Sequence, residues 1–102
     1  MNLEEIKQLV ETNKVVLFMK GTPQNPACGF SHKAAQVLRA SGVTEYETRD
    51  VLEDEVLRLN IKKFSNWPTI PQLYIKGEFI GGSDIMIEMY QAGELEELLK
   101  AV

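Results

Sequence analysis

Val15-Val16-Leu17-Phe18-Met19-Lys20-Gly21-Thr22-Pro23-Gln24-Asn25-Pro26-Ala27-Cys28-Gly29-Phe30-Ser31 passes from strand through loop into helix. Val15 to Met19 is an unbroken, β-branched-rich apolar run of the kind buried inside a sheet. Gly21 to Ala27 holds one glycine and two prolines and belongs to a loop. Phe30, Ala34, Val37 and Leu38 then follow a 3.6-residue period that stops near Ser41-Gly42, predicting a helix over 29–41. Beyond it, Tyr46, Thr48 and Asp50 alternate with Glu47, Arg49 and Val51 as a second strand would. Strand, helix and strand make a βαβ unit with two parallel strands and a right-handed crossover.

Upstream, Leu3, Ile6 and Val10 predict a helix over 3–12 with Asn2 as its N-cap. Downstream, Val56, Leu59 and Ile61 suggest a short helix over 54–62. Phe64 to Pro71 reads as loop, since Pro68 and Pro71 would break any ladder. Gln72 to Ile75 and Glu78 to Ile80 flank Lys76-Gly77, a two-residue hairpin signal. Ser83 is placed to cap a helix carrying Ile85, Met86, Met89 and Tyr90. Gly93 interrupts, and a last helix runs from Glu94 to Ala101. The order α-β-α-β-α-β-β-α-α is that of an α/β protein with four strands, parallel and antiparallel, between helices on both faces.

At 102 residues the chain is expected to form one domain over 1–102. Apolar residues at 44% and charged residues at 25% are ordinary globular usage and argue against disorder. A net charge of −4 without a basic stripe argues against nucleic acid and anionic membrane as partners. No apolar run is long enough to span a bilayer, and the acidic N-terminus is not a secretory signal. One cysteine suits a reducing compartment: the expectation is cytoplasmic, and a mature organellar form would look the same.

Cys28 is the only thiol. It cannot close an intramolecular disulfide or supply the several thiolates of a zinc or iron–sulfur site. Any sulfur chemistry must recruit sulfur from outside the chain. At a helix start after a strand, with Lys20 near, Cys28 is placed to be a thiolate; the plainer reading is a buried structural cysteine. Lys20 reads at least as readily as a solvated strand-end cation as a ligand for a carboxylate, and Arg58, Lys62 and Lys63 read most simply as surface residues that a carboxylate ligand could use. A proline opening a strand at Thr69-Ile70-Pro71 frees the preceding backbone groups for an extended ligand. Gly82-Ser83-Asp84 is either a plain helix cap or an anion site with a carboxylate beside it. His32, four residues past Cys28, is a solvated residue or a base. Trp67 is a packed anchor or a recognition aromatic. Met19, Met86 and Met89 fit core packing.

Lys20, Cys28-Gly29-Phe30-Ser31, Trp67-Pro68-Thr69-Ile70-Pro71-Gln72 and Gly81-Gly82-Ser83-Asp84 together resemble the monothiol glutaredoxins of the CGFS type. The resemblance covers nearly the whole chain. Dithiol relatives carry a second cysteine where Ser31 stands and have a shorter loop before the active one. The resemblance implies a thioredoxin-like three-layer α/β/α sandwich that binds glutathione. Lys20, assisted by Arg58, would meet the glycyl carboxylate. Ile70, beside a cis Pro71, would pair its backbone with the central residue. Ser83 and Asp84 would hold the γ-glutamyl end. Many relatives have cysteine where Ser83 stands, so any behaviour that depends on that second thiol is not implied here. The implied task is to carry a [2Fe-2S] cluster to apo iron–sulfur proteins, with Cys28 as its ligand. Four thiolates are then shared between two Cys28 and two glutathiones. This implies a homodimer when loaded, a monomer when empty, and a BolA-like protein as an alternative partner. The alternative function is a glutathione-dependent thiol–disulfide oxidoreductase that deglutathionylates through Cys28, an activity at most weak in this branch.

Overall fold

The computed structural model describes all residues from Met1 to Val102. Nine elements follow one another as α1 (Leu3–Thr12), β1 (Val15–Met19), α2 (Gly29–Ala40), β2 (Glu47–Asp50), α3 (Glu55–Ser65), β3 (Gln72–Ile75), β4 (Glu78–Gly81), α4 (Ser83–Gln91) and α5 (Glu94–Lys100). The four strands form one sheet in the order β2-β1-β3-β4. β1 pairs parallel with β2, Val16 opposite Glu47, and antiparallel with β3, Phe18 opposite Gln72. β3 and β4 are antiparallel across the Lys76-Gly77 turn, where both residues have positive φ (53° and 81°) as a type I′ hairpin requires. No helix is long and apolar enough to cross a membrane.

The central strand is buried throughout and divides its side chains by alternation. Val15, Leu17 and Met19 pack with Leu38 of α2, Met86 of α4 and Leu95 of α5 on one face. Val16 and Phe18 pack with Ile6 of α1, Leu57 and Ile61 of α3, and Tyr74 on the other. The sheet is therefore the middle of three layers, as expected, and Met19 and Met86 are core residues. Asn2 caps α1 through a reciprocal pair of bonds with Glu5, each 2.8 Å.

Several local expectations are corrected. α3 runs on through Phe64 and Ser65, because Leu57, Ile61 and Phe64 continue one stripe and Phe64 packs on the Tyr74 ring at 5.9 Å. Asn66, in the left-handed region, closes the helix. Val56 and Leu59, expected inside, are 55% and 58% exposed, since the sheet lies on the Leu57–Ile61 side. Phe30 is likewise 58% exposed, and Leu3 faces solvent. Ser83 is the first residue of α4 and not its cap; Gly82 holds that position and offers no side chain.

Candidate functional site

Cys28 is the N-cap of α2, in extended backbone at the mouth of the helix. Its Sγ accepts from the Ser31 N–H at 3.4 Å and stands 3.3 Å from the Ser31 Oγ. Ser31 is fully buried and its hydroxyl also accepts from the Lys20 N–H at 3.0 Å, tying the end of β1 to the start of α2. Partial burial pushes the Cys28 thiol up. The Ser31 hydroxyl, the N–H groups of Ser31 and Phe30, and the Lys20 ammonium outweigh that and hold its pKa below the ordinary thiol value. A depressed folded pKa means that ionised Cys28 stabilises the fold above the unfolded thiol pKa, and that this contribution is lost as pH falls through the folded one. Alkylation of Cys28 by iodoacetamide should accordingly show a midpoint below the ordinary thiol pKa, and Ser31→Ala should move it up. A wild-type midpoint at or above the ordinary value would contradict the assignment.

The loop before Cys28 is closed on itself. Gly21 bridges Pro26, the Ala27 N–H donates to the Lys20 carbonyl at 2.9 Å, and Thr22 and Asn25 exchange backbone bonds at 3.0 and 3.2 Å. Asp50, at the end of β2, accepts from the Gly21 and Leu52 N–H groups, each at 2.9 Å. Asp50 and Ser31 thus set the turn that carries Lys20, a role no spacing pattern announces.

Lys20, Arg58, Ile70, Ser83 and Asp84 come from four separate segments and line one cleft of about 400 Å³, together with Phe30, Lys62, Trp67 and Gly82. Arg58 and Lys62, four apart on α3, present one face to it. Lys63 does not line it. Cys28 is not in the lining either; it adjoins the cleft through Lys20, whose charge reaches its thiol, and through Phe30. None of Lys20, Arg58, Lys62 and Asp84 forms an ion pair within the chain. The Ile70–Pro71 bond is cis, and the Ile70 N–H and carbonyl have no hydrogen-bond partner in the chain. α4 starts at the cleft with no side-chain cap, so its first N–H groups remain open to an anion. The Trp67 ring packs on Phe79 at 5.8 Å, as an anchor would, and also lines the cleft. His32 is exposed, its N–H donates to the Cys28 carbonyl as the helix requires, and its side chain makes no hydrogen bond.

A wider cleft, about 1040 Å³, lies toward the starts of β1 and β2. Its side chains balance Lys14 and Arg39 against Glu45 and Glu47, and it holds no thiol.

The glutaredoxin family profile matches residues 15–80. A monothiol glutaredoxin of Synechocystis is 59% identical over 93% of this chain and 88% of its own length. The mitochondrial glutaredoxin-related protein 5 of Danio rerio is 54% identical over 97% of this chain, which spans 62% of that relative. Among solved structures, reduced apo GrxS14 from poplar superposes with a TM-score of 0.81 at 47% identity, covering 96% of this chain and 89% of that one. The fold is thioredoxin-like, the likeness covers over nine-tenths of the chain and so extends beyond the profile, and a lone thiol with serine three residues on marks the branch: this chain belongs to the monothiol glutaredoxins.

Proposed function

We propose that the chain binds glutathione in the cleft beside Cys28 and carries a [2Fe-2S] cluster for delivery to apo iron–sulfur proteins. The observation that supports this most is the cleft's unspent chemistry: three unpaired cations, one unpaired carboxylate and a free peptide edge next to a low-pKa thiol. Glutathione has the complementary set: two carboxylates, one ammonium and an extended backbone. Lys20 and Arg58 take the glycyl carboxylate, with Lys62 adding to the field. The Ile70 backbone pairs with the central cysteinyl residue. The open N-terminus of α4, with Ser83, takes the γ-glutamyl carboxylate, and Asp84 its ammonium. An extended tripeptide spans about 10 Å, and the cleft volume lies at the low end of small-ligand sites.

The cluster is cargo. Its donor set needs four thiolates, whereas one chain offers Cys28 and no group of three His, Cys, Asp or Glu side chains. Two chains and two glutathiones complete the set, giving a dimer when loaded and a monomer when empty. A BolA-like protein would stand in for the second chain. The setting is a reducing compartment, cytoplasmic or organellar.

The depressed Cys28 pKa also supports a second reading, thiol–disulfide exchange. The thiolate would attack the glutathione sulfur of a mixed disulfide and expel the substrate thiolate. A second glutathione thiolate would then release Cys28 and leave as oxidised glutathione.

Calorimetric titration with glutathione tests the shared premise. Lys20→Ala should weaken binding by about 0.5–3 kcal/mol, one charge-assisted contact, and the wild-type affinity should fall as salt rises. Wild-type affinity in Lys20→Ala would remove Lys20 from the site. Rapid turnover of a glutathionylated substrate by the monomer would favour the exchange reading.

A further inference from the structure

We propose that Gln72 is a positioning residue for the cleft, its buried side-chain amide setting the Trp67–Ile70 wall on which the ligand lies. Gln72 is fully buried at the start of a strand whose other residues are apolar or aromatic. An apolar side chain would serve packing there without the cost of desolvating an amide. All its polar capacity is directed at one loop and one anchor. Nε2 donates to the Trp67 carbonyl at 3.2 Å and to the Thr69 carbonyl at 3.1 Å, the carbonyls of the two residues that flank Pro68. Oε1 accepts from the Tyr74 hydroxyl at 3.1 Å. Tyr74 is itself held by the rings of Phe18, Phe64 and Phe79, with centroids 5.6, 5.9 and 5.5 Å away.

The chain of support therefore runs from a rigid aromatic cluster to Tyr74, to Gln72, to two carbonyls of the cleft wall. Beyond the second carbonyl, Ile70 presents its N–H and carbonyl without a partner in the chain. Proline blocks repair of the segment by local backbone pairing, since Pro68 and Pro71 have no N–H to give. Holding both flanking carbonyls with one amide leaves the Trp67–Ile70 segment in a single arrangement before any ligand arrives, which lowers the ordering cost of binding. The inference takes its ligand from the glutathione reading above, but the positioning itself does not depend on that reading.

The test uses Gln72→Met, close in length and volume but without hydrogen bonds. Trp67 is the only tryptophan, so its fluorescence reports on the loop alone. The emission maximum should move to longer wavelength, and glutathione affinity should fall about tenfold. Tyr74→Phe, which keeps the ring and removes only the anchoring hydroxyl, should move both readouts the same way by a smaller amount, about two- to threefold in affinity. Leu38→Val, in the core on the opposite face of the sheet, should lower the melting temperature and leave both readouts alone. If the wild type does not bind glutathione, the functional reading falls and the Trp67 emission decides the positioning role by itself. Wild-type emission together with wild-type affinity in Gln72→Met would overturn the proposal. Should that variant fail to fold, the same result in Tyr74→Phe would overturn it.

Discussion

Cys28→Ser is expected to lose the coloured, cluster-bridged dimer completely while folding as well as the wild type. The two halves of that expectation have separate physical grounds. Cys28 caps α2 by accepting the Ser31 N–H, and serine is a preferred residue for that task, so the helix start is kept. The proposed cluster binding is not kept, because a hydroxyl is not ionised at neutral pH and is a far poorer ligand for iron than a thiolate. No other cysteine can take over. The check is anaerobic reconstitution followed by visible absorption and size exclusion, with thermal unfolding alongside. A coloured dimer from Cys28→Ser would remove Cys28 from the ligand set.

Gly21→Ala carries the largest effect expected on stability among single-atom additions at the site. Gly21 has φ +84°, and a Cβ there would stand 2.6 Å from both the Ala27 nitrogen and the Asn25 carbonyl oxygen. Both neighbours are backbone of the loop that closes on Lys20, so they cannot yield without opening it. Left-handed strain adds about 1–2 kcal/mol to that displacement, and the total should reach roughly 2–4 kcal/mol. For a domain of this size the melting temperature then drops by about 8–30 °C. Gly29→Ala is the control: a Cβ there meets nothing within 4 Å, and stability should hold. Equal melting temperatures for the two variants would show that the closed loop is not what Gly21 maintains.

The architecture was legible because the deciding signals are local. Val15 to Met19 is a short β-branched-rich run that suits a buried strand, Asn2 is a preferred N-cap residue, and Lys76-Gly77 permits little but a tight hairpin. The face of α3 was harder to read: Val56 and Leu59 lie on one side of the helix and Leu57, Ile61 and Phe64 on another, and only the position of the sheet chooses between them. Phe30 fitted its helix's apolar period but lines the cleft, so period alone cannot separate a core residue from a binding one. Lys20, Arg58, Ile70, Ser83 and Asp84 converge from segments far apart in sequence. Their grouping was visible only through resemblance to a family, never through spacing. Ser31, Asp50 and Gln72 gave less still. Each matters through a side-chain hydrogen bond to backbone, to Lys20, Gly21 and the Trp67 and Thr69 carbonyls respectively, and a polar residue type does not by itself announce which backbone group it holds. A fully buried glutamine opening an otherwise apolar strand was the one signal available for Gln72.

Omission of glutathione from the wild-type reconstitution is the most direct measurement. With iron, sulfide and glutathione under anaerobic conditions, the chain should give a coloured dimer holding two irons per pair of chains. Without glutathione or any other small thiol it should stay colourless and monomeric. Equal iron binding and dimer formation in the absence of any small thiol would contradict the account.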